Sequence, residues 1–98
     1  MSDDGFNYLN PEDRRRPNES ELFGRVAVAL EQKTKLSALE ARGTLAIALK
    51  VAGFLSRDVG MDELLQTVQT VLPGELRVRG VAEAEGVCSE IAAQLRAG

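Results

Sequence analysis

Ninety-eight residues make one domain's worth of chain, enough to close around a single core. Histidine is absent and cysteine occurs once, which removes the commonest general base, the commonest metal ligand, any internal disulfide and any zinc site built by cysteines alone. A net charge of −3 argues against a nucleic-acid partner held by a general positive field.

Aromatic residues are only 4% of the chain, so the core must be built from Leu, Val, Ile and Ala, a palette that favours packed helices over sheets. Residues 1–18 read as a polar N-terminal arm, with acids, three consecutive arginines (Arg14, Arg15, Arg16) and two prolines but no helical or alternating period. Within it, Phe6-Asn7-Tyr8-Leu9 is an oddity: two of the four aromatics of the chain sit in a segment type that is usually poor in them. Such a string is expected to bind something, either its own domain or another protein.

A first helix is expected from about Glu19 to Lys35, capped by Asn18 or Ser20. Leu22, Phe23, Val26 and Leu30 form its apolar stripe. The pairs Glu21/Arg25 and Glu31/Lys35 stand at i,i+4 on its wet side. Ser37-Ala38-Leu39-Glu40 is a capping-box pattern and starts a second helix, to about Leu55. From Leu45 onward its apolar residues point in every direction, so it is read as the central helix or as one with half its surface facing a partner. Met61, Leu64, Leu65, Val68, Val71 and Leu72 mark a third helix, stopped by Pro73-Gly74. Glu75 to Gly80 fits a short extended segment or a helical turn equally. The last helix covers about Ala82 to Arg96, with Ala84, Val87, Cys88, Ile91 and Leu95 on one face.

One local string resembles a known motif. Gly60-Met61-Asp62-Glu63-Leu64 is similar to the Gly-x-Asp-Ser-Leu string of acyl and peptidyl carrier proteins, small acidic four-helix domains that carry phosphopantetheine on that Ser. The matching position is Glu63, which cannot carry the arm, and the loop before it is far shorter than in carrier proteins. An acid-rich helix N-terminus, favoured by the helix dipole, explains the string.

The remaining chemistry-bearing residues read as structural. Cys88 lies on an apolar face without a neighbouring cation cluster, so a buried, slow thiol is expected. Lys50 interrupts an apolar run and is expected to lay its stem on apolar surface with its ammonium in water. A helix-turn-helix reading would use Gln66, Thr67, Gln69 and Thr70 as base-reading residues, but Asp62 and Glu63 would meet the phosphates.

The expectation is therefore an all-α, small four-helix domain (residues 19–98) behind the arm, with no catalytic residue, metal or cofactor. It is expected to act as a non-catalytic protein–protein interaction or adaptor module, with a small DNA-binding or transcription-associated regulator using the second and third helices as the alternative. The partner-binding residues are Phe6, Tyr8 and Leu9; self-association as a homodimer would use Gly43, Ala46, Leu49 and Gly53 on the second helix. No small-molecule substrate is evident and no apolar run reaches the roughly 20 residues of a membrane span. The acidic opening Met1-Ser2-Asp3-Asp4 has no secretory character. Nine arginines against three lysines point to a GC-rich bacterial source and the lone cysteine to a reducing cytoplasm.

Overall fold

A helix end leaves backbone N–H or C=O groups open, and the sequence closes them locally at most boundaries. The computed structural model describes residues 20–97. Helix α1 spans Glu21–Lys33, and the Ser20 hydroxyl caps it by accepting from the Phe23 N–H at 3.1 Å. It stops at Thr34, whose backbone is extended and whose hydroxyl donates to the Leu30 carbonyl at 2.6 Å. Lys35 thus lies beyond the helix, and the Glu31/Lys35 spacing is not a helical pair.

Helix α2 spans Ala38–Ala52 and opens with the full capping box. Ser37 Oγ accepts from the Glu40 N–H at 3.1 Å, while Glu40 Oε1 accepts from the Ser37 N–H at 2.8 Å. It ends three residues before Leu55, because Gly53 takes a left-handed conformation (φ 92°) and the Phe54 N–H turns back to the Leu49 carbonyl at 2.9 Å. A Cβ added at Gly53 would meet open space, so only the backbone conformation resists a side chain there. Gly53→Ala should cost about 1–2 kcal/mol by urea unfolding, the usual penalty for an L-residue held left-handed.

Helix α3 spans Met61–Thr70 and helix α4 Leu72–Val78, making five helices and no strand among the described residues. The expected count of four is corrected here. Pro73 does not stop a helix; it occupies the first turn of α4, where its missing N–H removes nothing. Val71 keeps helical dihedrals (φ −98°, ψ −41°) as the shared cap of α3 and α4, and Leu72 and Leu76 are drawn into the core. The alternation of Leu76 and Val78 that suits a strand is one helical turn with Val78 outside. Gly80, at φ 79°, ends it. Helix α5 spans Ala84–Ala97 and follows Glu83, a non-glycine residue at φ 56°.

One core joins all five helices. Phe23, Val26 and Leu30 of α1 meet Leu45 and Leu49 of α2, Leu64 and Val68 of α3, Leu72 and Leu76 of α4, and Ile91 and Leu95 of α5. The buried hydroxyls of Thr44 and Thr67 donate to the Glu40 and Glu63 carbonyls at 2.7 and 2.9 Å, so neither is stranded in the apolar interior. Lys33 and Glu90 join α1 to α5 at 3.1 Å, a largely exposed pair worth roughly 0–1 kcal/mol. Among the described residues no helix is long and apolar enough to cross a membrane.

Candidate functional site

Helix α2 differs from its neighbours in what it leaves uncovered. Its inner side, Ala41, Thr44, Leu45, Ala48 and Leu49, is buried. Its outer side presents Leu39, Ile47 and Val51, exposed by 69%, 43% and 64%. The helix is therefore not buried all round; the fold covers one half and leaves the other in water. Gly43 lies between Leu39 and Ile47 on the same open row, and a Cβ built there meets nothing. Three large aliphatic side chains at four- and eight-residue spacing form a continuous apolar ridge with a notch in it. Burying each fully would be worth about 1.5–3 kcal/mol, so leaving them wet is a standing cost.

The self-association residues expected from sequence divide between the two sides. Gly43 and Gly53 are exposed and Ala46 is half-buried. Leu49 is wholly buried in the chain's own core, so it is not available to a partner. Leu39, Ile47 and Val51 carry the open face instead. From Leu45 to Ala52 every residue of this helix except Lys50 is apolar, so the position of the neighbouring helices separates inside from outside there. Lys50 sits exposed on the open face, flanked by Ile47 and Val51.

Phe6, Tyr8 and Leu9 lie outside the described residues. The described chain begins at Ser20, whose N–H donates to the Ser56 carbonyl at 3.0 Å. Ser20 is thus tied to the α2–α3 connection.

Other positions singled out by sequence are placed as follows. Glu63, the residue matching the carrier-protein Ser, turns back on its own helix start and accepts from the Gly60 N–H at 2.9 Å. Of the four base-reading candidates, Gln66, Gln69 and Thr70 are exposed and Thr67 is buried. A shallow groove of about 450 Å³ between α3, α4 and α5 is lined by Gln69, Thr70, Arg77, Ser89 and Arg96, with Cys88 at its base. Arg77 is committed to Glu85 at 3.1 Å. No group of three or more possible metal-ligating side chains occurs among the described residues.

Cys88 is 2% exposed, and burial pushes its thiol up from 9.0 to about 11, with Arg77 opposing and Glu85 adding to the shift. A thiol so far from ionisation is a poor nucleophile at neutral pH. Ellman's reagent should therefore label native protein far more slowly than denatured protein. Because the folded value is the raised one, the thiol's contribution to stability is complete below pH 9 and declines between about pH 9 and 11. Cys88→Ala should flatten the fall in unfolding free energy over that window; an unchanged slope would show that the thiol is not buried.

Comparison with protein-family models, with curated proteins and with solved structures finds no match to this chain.

Proposed function

We propose that the chain is a non-catalytic protein–protein interaction module whose contact face is the outer side of α2. The observation that carries this reading is the row Leu39, Gly43, Ile47, Val51, an exposed aliphatic ridge on a helix whose other side is fully built into the core. Exposed apolar residues scattered singly are ordinary, but a contiguous row on one rigid helix is a docking surface. The arm supplies a second recognition element in Phe6, Tyr8 and Leu9, an apolar and aromatic string in an otherwise polar sequence, since aromatic residues are enriched among binding anchors. The free, buried cysteine suits a reducing cytoplasm.

The test is affinity capture with full-length bait in three forms: wild type, Ile47→Asp, and Phe6→Ala/Tyr8→Ala. A protein species retained in stoichiometric amount by wild type and lost from Ile47→Asp, with an unchanged circular dichroism spectrum, is the expected result. Identical capture profiles for wild type and Ile47→Asp would refute the α2 face as the contact. The arm variant reads the second element: an unchanged melting temperature with lost capture assigns the anchors to another protein, and a melting temperature several degrees lower assigns them to their own domain.

A further inference from the structure

We infer that the occupant of the α2 face is a second copy of this chain, packed antiparallel on the first about a two-fold axis at the level of Leu45. The inference rests on the interaction-module reading and names its partner. The argument is one of register. Positions equally distant from residue 45 on the outer side of α2 carry complementary residues. Leu39 and Val51 each lie six positions away and are both exposed aliphatics. Glu40 and Lys50 each lie five away, are both exposed, and have opposite charge. Gly43 and Ile47 each lie two away, a notch and a knob.

In an antiparallel pair these positions face one another across the axis. Ile47 of each copy seats in the notch at Gly43 of the other, Leu39 covers Val51, and Lys50 meets Glu40 twice. Glu40 caps α2 with Oε1 alone, which leaves its second oxygen for the lysine. Glu40, Gly43, Ile47 and Lys50 also follow the three-four-three spacing by which two helices keep one seam in contact. A parallel pair would set Glu40 on Glu40, Lys50 on Lys50, and Gly43 opposite Gly43, leaving the notch empty. The ridge from Leu39 to Val51 is about 18 Å long at the helical rise. One helix pair of that length falls below the roughly 1,200 Å² of standard interfaces, so the association is weak and reversible.

Sedimentation equilibrium of the full-length chain, from about 1 µM to about 1 mM, covers the affinity range expected of such an interface. The wild type should move from monomer to dimer as concentration rises. Gly43→Leu fills the notch and should weaken association at least about ten-fold with melting temperature kept or raised, since the position is exposed and a Cβ there meets nothing within 4 Å in the monomer. Ile47→Asp should do the same with little change in melting, and Lys50→Glu should weaken it several-fold by opposing Glu40. Register is read by mild oxidation: a mixture of Leu39→Cys and Val51→Cys chains should form disulfide dimers joining one of each, and neither chain alone should do so efficiently. A chain that stays monomeric throughout overturns the inference, while captured protein lost from Ile47→Asp would leave the interaction-module reading standing. Predominant Leu39→Cys homodimers, or a dimer indifferent to both Gly43→Leu and Ile47→Asp, would also overturn it.

Discussion

Leu49→Ala should destabilise the domain by about 2–5 kcal/mol, through the lost burial of the removed carbons and the cavity they leave. Domains of this size have only about 5–15 kcal/mol of stability in total, so the variant sits near the edge of folding. At about 4–8 °C per kcal/mol, the melting temperature should fall by more than about 8 °C. Val51→Ala, two positions further along the same helix, should stay within about 0.5 kcal/mol of wild type because Val51 is largely in water. Urea unfolding followed by circular dichroism measures both at a concentration where the chain is monomeric. The contrast tests the placement of the two sides of α2: comparable losses for the two variants would mean that Val51 is as enclosed as Leu49, and the open face would be refuted. Leu49 stands at that division, since sequence groups it with Gly43 and Gly53 as a surface residue while the fold places it among Phe23, Leu45 and Leu72.

The start signals of the first two helices were legible because they are chemically local. Ser20 and the Ser37/Glu40 box satisfy backbone N–H groups with side chains three positions away, a relation visible in the order of residues alone. Periodicity likewise marked the inner stripe of α1 and put Cys88 and Ile91 inside. Two features were not legible, for different reasons. Helix α4 was hidden because Pro73-Gly74 serves equally as the end of one helix and the start of another. The choice is made by Leu72 and Leu76 finding places in the core, a tertiary event. The exposed side of α2 was hidden because residues 45–55 offer almost no polar contrast. Apolar residues all round a helix predict burial or a partner, and deciding between them requires knowing where α1, α3 and α4 run. The complementarity of Glu40 with Lys50 and of Gly43 with Ile47 gains meaning only once their common outward face is known. Glu83, at φ 56°, carries no sequence signal at all, since glutamate has no preference for that backbone region.

Ala48→Leu is the second large effect expected, and it acts by the opposite means from Leu49→Ala. Ala48 is fully buried, with its methyl enclosed by the core. Three added carbons there must displace neighbours or push α2 outward, and overpacking of this kind costs about 1–3 kcal/mol, occasionally more. At Gly43, five positions earlier and exposed, the same side chain starts from a Cβ that meets no atom beyond its own helical turn within 4 Å. There it replaces the residue most costly to helix interiors after proline and should stabilise the monomer by up to about 1 kcal/mol. One substitution type on one helix thus has opposite signs on its two faces, and urea midpoints of the two variants in the monomeric range read the difference directly. Small residues on the inner side are there because neighbouring helices lie close, whereas Gly43 on the outer side is small although nothing in its own chain requires it. A neutral Ala48→Leu would show that the core under α2 has room to spare, and the inward claim on small residues would fail. A destabilised Gly43→Leu monomer would show that some part of the chain already covers the notch, and a second copy would then have no place to dock.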